Sequence, residues 1–202
     1  MKISHIETLI QRGSFSQSQE WQIIRQQALD AIQCVDWPVG SGKFTVYPES
    51  GKKRGQGNGV KPIKNAAISY LKNQGWLREY PLPINTQIRP GKIDAAYLSN
   101  QGIVGFEWET GNISSSHRSM NKMALGLLSQ AMIAGLLVIP SRQLYRYLTD
   151  RIGNYSELEP YFPLWKSIPC KEGILEVIMI EHDDLSFDVP RIPKGTDGRA
   201  IL

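Results

Sequence analysis

Apolar positions recur at helical spacing near the start of the chain. Residues 3–12 and 17–35 both show it, and in the second stretch Trp21, Ile24, Ala28, Ala31 and Ile32 make one apolar stripe suited to packing on a core. Pro38 and the glycines after it end that helix. A short strand is predicted over 44–47, a helix over 62–71 with Pro62 in its first turn and Gly75 closing it, and a strand over 76–82. Two β-forming runs, 93–98 and 103–108, flank Ser99, Asn100, Gln101 and Gly102, which supply turn chemistry for a hairpin. A long helix follows from near Ser116, with Ser114 or Ser115 as its N-cap. Residues 136–139 read as a buried strand, Ser141 opens another helix, and 174–180 is a strand rich in β-branched residues. This order predicts an α/β fold: a single domain over 1–202 with a central mixed β-sheet flanked by helices on both faces. The stretch 189–202, with two prolines and two glycines, reads as an irregular C-terminal arm.

The hairpin brings chemistry with it. With the turn centred between Asn100 and Gln101, facing residues have numbers that sum to 201, so Asp94 lies opposite Glu107. Facing Cβ atoms are roughly 4.5 to 5.5 Å apart, and Glu109 shares the face of Glu107 because alternate strand residues point the same way. Like charges in register are destabilising, whereas three carboxylates suit a hard divalent ion such as Mg²⁺, which takes oxygen ligands. Acids at alternate positions also suit the solvated face of an edge hairpin with Phe106 and Trp108 buried, and paired carboxylates can cleave glycosides.

Size and charge narrow the field. At 202 residues the chain holds one well-packed core. It has no run of eighteen apolar residues and no signal-peptide pattern, which predicts a soluble intracellular protein without a membrane partner. Cys34 and Cys170 lie far apart without CxxC spacing, and His5, His117 and His182 lack metal-ligand spacing, so zinc and disulfide frameworks are not expected. Gly40, Gly42 and Lys43 imitate a P-loop, but Trp37 and Phe44 occupy its required Gly and Ser/Thr positions, and no GxSxG elbow occurs. The net charge of +4 permits an anionic partner. Lys52, Lys53, Arg54, Lys61 and Lys64, interspersed with glycines, read as a flexible basic loop entering a helix, either simply solvated or following a nucleic-acid backbone.

Asp94 followed by Glu107-x-Glu109 resembles the PD-(D/E)xK nuclease core, with Glu109 where most members carry lysine. The runs EWETGNISSSHRSMNKM and YRYLTDR, with NGVKPIKN, NYSELEPYF and IPKGTDGRA in the same order, are similar to type II restriction endonucleases of the BamHI family. The likeness covers most of the chain from about Asn58 onward. It implies a restriction endonuclease-like fold and a homodimer cutting both strands of a palindrome, with 5′-GGATCC the implied site. Asp94, Glu107, Glu79 and the Trp108 carbonyl would be metal ligands and Glu109 the general base, with Glu79 a fourth active-site acid. Two Mg²⁺ ions per site are implied, with Mn²⁺ able to substitute and Ca²⁺ binding without turnover. Asn112, Ser114, Arg118, Asp150 and Arg151 would read bases. Lys61 would position phosphate or join the dimer interface, and Asp197 and Gly198 match a segment used near the minor groove. A prokaryotic cytoplasm and a cognate DNA methyltransferase in the host follow from the same resemblance. A DNA-binding relative without cleavage and a different metal-dependent phosphodiesterase are the alternatives.

Overall fold

The computed structural model describes all residues outside positions 54, 86, 88, 89, 110, 150, 151 and 196–202. Six strands form the main sheet: β1 (Lys2–Arg12), β3 (Leu77–Pro81), β4 (Lys92–Ser99), β5 (Gly102–Trp108), β6 (Ala134–Pro140) and β7 (Gly173–Glu181), in the spatial order β1-β7-β6-β5-β4-β3. The central strands β5, β6 and β7 run parallel, and β1, β4 and β3 complete the sheet with antiparallel pairings. Two short strands, β2 (Thr45–Val46) and β8 (Asp184–Leu185), pair separately. The helices are α1 (Gln19–Gln33), α2 (Lys61–Asn73), α3 (Ile113–Leu128), α4 (Arg142–Tyr145), α5 (Tyr155–Leu158) and α6 (Phe162–Lys166).

Every residue of β6 is buried, as a parallel strand covered on both faces requires. Its alternation sorts the two halves of the core. Ala134, Leu136 and Val138 pack in the cluster that holds Ile24 and Ala28 of α1 and Ile63 and Ala67 of α2; Leu137 and Ile139 join Met120 and Met123 of α3 and Phe162 and Trp165 of α6. The mixed sheet with helices on both faces therefore stands as expected. The stripe predicted for α1 is the set of residues that this helix buries.

Two of the predicted elements are corrected. Residues 3–12 form strand β1, not a helix. Register shifts between Ile3 and His5 and between Thr8 and Ile10 insert extra residues into the alternation, so Ile3 and Ile6 stand three apart and Leu9 and Ile10 are buried in succession, a spacing that imitates a helix. Helix α3 begins three residues earlier than predicted. Asn112 is extended (φ −69°, ψ 174°) and its side chain accepts the Ser115 N–H at 3.2 Å, so Asn112 is the N-cap and the serines form the first turn.

The basic glycine-rich loop is tied down. Gly51 N–H donates to the Arg146 carbonyl at 2.9 Å, Gly57 N–H to Glu49 at 2.8 Å and Gly59 N–H to the Ile192 carbonyl at 2.9 Å. A Cβ at Gly51 would collide with the Leu148 carbonyl, so the close approach requires glycine. Asn58, fully buried, donates its amide to the carbonyls of Tyr47 (2.8 Å) and Tyr147 (2.9 Å) and accepts the Ile192 N–H (3.1 Å). One side chain thus joins three distant segments.

Candidate active site

The β4–β5 ladder has the predicted register: Ala95 pairs with Phe106, Ala96 with Gly105, Tyr97 with Val104, Leu98 with Ile103 and Ser99 with Gly102. Ser99 stabilises the two-residue turn by donating its hydroxyl to the Gly102 carbonyl at 2.7 Å. The next step of that register would set Asp94 against Glu107, and here the ladder gives way to side-chain chemistry. Asp94 Oδ2 accepts the Trp108 N–H at 2.8 Å, which holds the carboxylate against the end of β5. Glu107 is buried, because β5 is an interior strand covered on both faces, and the solvated edge-hairpin reading fails for this residue. Burial, and then the neighbouring Asp94 carboxylate, push the Glu107 carboxyl up to about 7 against the opposing pull of Lys122 and Lys64.

Both lysines bind the acid pair directly. Lys64, in the first turn of α2, places Nζ 2.5 Å from Asp94 Oδ1. Lys122 of α3 forms an ion pair with Glu107 Oε1 and donates to the Lys92 carbonyl at 2.6 Å. In the sequence Lys64 stands out only as one of the basic residues where the glycine-rich loop enters the helix over 62–71, and Lys122 carries no motif of its own. Its signal was faint: a lysine on the apolar face of α3, close to Met120 and Met123.

The other predicted acids lie on the backbone next to this pair, Glu109 just after β5 and Glu79 on the adjacent strand β3. Glu109 follows the end of β5, its N–H donating to the Val138 carbonyl at 2.9 Å and its Oε1 accepting from Gly111 N–H at 3.3 Å. Glu79 is exposed, lies between the pairs Arg78–Ala95 and Tyr80–Ile93, and so is level with Asp94. Its φ of +49° is left-handed, an uncommon conformation for a residue with a side chain. Among the described residues, no three Asp, Glu, His or Cys side chains stand close enough to share one ion. Asp94 and Glu107 nevertheless fit a hard cation: both are oxygen donors, both are largely withdrawn from solvent, and each already holds a positive charge.

The chain leaves this pair directly for α3. Asn112 and Ser114 are exposed near its N-terminus and Arg118 is exposed one turn further on. Ser114, Arg118, His117 and Lys122 share an open cleft of about 840 Å³ with Lys92. Asp150 and Arg151 lie outside the described residues, but their flanks are fixed: Thr149 N–H donates to the Asn58 carbonyl at 2.9 Å, and Gly153 N–H to the Gly111 carbonyl at 2.8 Å. A Cβ at Gly153 would lie 3.1 Å from Ile113 Cα and collide with Ser116, so this segment packs tightly on the start of α3. The flank that follows the predicted Asp150–Arg151 pair therefore packs on the start of α3, and the flank that precedes it is bonded to the Asn58 loop. Lys61 opens α2, exposed, with its stem close to Gly195; Asp197 and Gly198 lie outside the described residues.

Comparison with known proteins identifies the family and the fold. The family model for restriction endonuclease BamHI matches residues 1–199. The type II restriction enzyme OkrAI of Oceanobacter kriegii is 47% identical over 201 residues, covering 100% of both chains. BamHI of Bacillus amyloliquefaciens is 40% identical over 169 residues, 80% of this chain and 75% of that enzyme. The crystal structure of restriction endonuclease BglII complexed with a DNA 16-mer shares the fold with a TM-score of 0.63 at 12% identity, covering 91% of this chain and 79% of that one. The chain belongs to the BamHI family of type II restriction endonucleases.

Proposed function

We propose that this chain is a homodimeric, Mg²⁺-dependent endonuclease that cuts both strands of palindromic DNA at 5′-GGATCC, with residues 1–202 acting as one domain per subunit. The observation that carries this reading is the pairing of half-buried Asp94 of β4 with buried Glu107 of β5, a few residues before the exposed Asn112, Ser114 and Arg118. Asp94, Glu107, Glu79 and the Trp108 carbonyl would hold two Mg²⁺ ions, which when bound supply Lewis-acid stabilisation to the attacking and leaving oxygens of a phosphodiester. Glu109, just beyond β5, takes the proton from the attacking water. Asn112 has its side-chain oxygen committed to the helix cap, leaving its amide hydrogens for a base acceptor. Arg118 suits guanine, and Asp150 with Arg151 suits a C·G pair. Ser114, Lys61, Asp197 and Gly198 complete the proposed DNA contacts.

Two further features support this reading. Lys52, Arg142 and Arg146 line a second cleft of about 550 Å³, a basic surface for a DNA backbone. Leu128 of α3, and Tyr161 and Leu164 beside and within α6, are exposed apolar residues suited to a two-fold interface that matches a palindrome. Among the described residues no helix is long and apolar enough to cross a membrane. Action in a prokaryotic cytoplasm beside a protecting methyltransferase belongs to the same proposal. Synthetic duplexes test it: with Mg²⁺, a duplex containing GGATCC is expected to be cut on both strands while single-base variants survive. Equal cutting of all duplexes, or of none, contradicts it.

A further inference from the structure

Lys64 and Lys122 come from α2 and α3, helices that pack on opposite faces of the sheet, yet their ammonium groups meet adjacent carboxylates. Together they carry the charge of one divalent ion. We infer that Lys64 and Lys122 are built-in counter-ions of the acid pair with divided roles: Lys64 is displaced when a divalent metal binds, while Lys122 remains and positions Glu107. The inference rests on the metal-dependent reading above.

The division follows from how each lysine is held. The Lys122 side chain is 8% exposed and bridges Glu107 and the Lys92 carbonyl, so moving it would strand a buried charge and a carbonyl together. The Lys64 side chain is 25% exposed and springs from the first turn of α2, where it can swing into water at little cost. Without these cations Asp94 and Glu107 would repel each other in a poorly solvated site. With them the pair is compensated, and an incoming metal must break the weaker of the two ion pairs to reach Asp94 Oδ1.

Calorimetric titration with Ca²⁺ and ¹⁵N NMR of the lysine ammonium groups test this on the full chain. The Lys64→Met variant is expected to bind Ca²⁺ roughly two- to fivefold tighter than the unaltered protein, the worth of a part-exposed ion pair. It is also expected to melt lower without Ca²⁺. In the unaltered protein, saturating Ca²⁺ should shift or broaden the Lys64 ammonium resonance, assigned by its loss in Lys64→Met, and leave that of Lys122 in place. Equal or weaker Ca²⁺ binding by Lys64→Met, an unmoved Lys64 resonance at saturation, or loss of the Lys122 resonance overturns the division of roles. Absence of Ca²⁺ binding to both proteins overturns the metal reading and this inference with it.

Discussion

A carboxyl group raised to about 7 holds a proton in the folded protein that the unfolded chain, with an ordinary glutamate near 4.5, has already released. Glu107 therefore favours the fold most below 4.5, and that contribution is lost as pH rises through about 7. The loss is on the order of a few kcal/mol. Denaturant unfolding at pH 5 and pH 8 should show this decline in the metal-free protein but not in Glu107→Gln; identical pH responses would contradict it. Divalent metal competes with the same proton, so Ca²⁺ affinity should rise across this window. Glu107→Ala and Glu109→Lys should each abolish cleavage and leave specific DNA binding measurable by gel shift; normal cutting by either would remove that residue from the active site. The pairing of Asp94 with Glu107 was legible because hairpin register is local arithmetic. Their lysine partners were not, since α2 and α3 meet the hairpin only through tertiary packing.

At the scale of elements, the sequence spoke clearly where burial follows a single period. The α1 stripe and the apolar β6 run are such cases, and β1 is the counter-example, because its bulges break the alternation that marks a strand. The loop around Asn58 shows the same limit. Glycines and lysines suggested mobility, but a single asparagine fastens the loop to Tyr47, Tyr147 and Ile192. Asn58→Ala should cost about 2 to 4 kcal/mol, because buried backbone groups lose their partners. Equilibrium urea unfolding checks this, and a loss below about 0.5 kcal/mol would show that the loop is held by other contacts. Because Thr149 N–H is bonded to the Asn58 carbonyl, displacing this loop should also weaken discrimination between GGATCC and single-base variants.

The whole molecule couples a mildly basic surface to one acidic centre. Sedimentation equilibrium should report twice the 22.7 kDa chain mass, and a monomer under cleavage conditions would contradict two-fold reading of a palindrome. Arg142→Ala and Arg146→Ala should each flatten the salt dependence of DNA binding by about one unit of log–log slope, as for loss of one phosphate contact. An unchanged slope would remove the 550 Å³ cleft from the DNA interface. The most direct measurement is digestion of a complete bacteriophage genome with purified protein and Mg²⁺, followed by sequencing of every new end. Discrete fragments are expected, with every end inside GGATCC, and no fragments when Mg²⁺ is withheld. Ends scattered over unrelated sequences, or an intact genome across a range of salt and temperature, would contradict it.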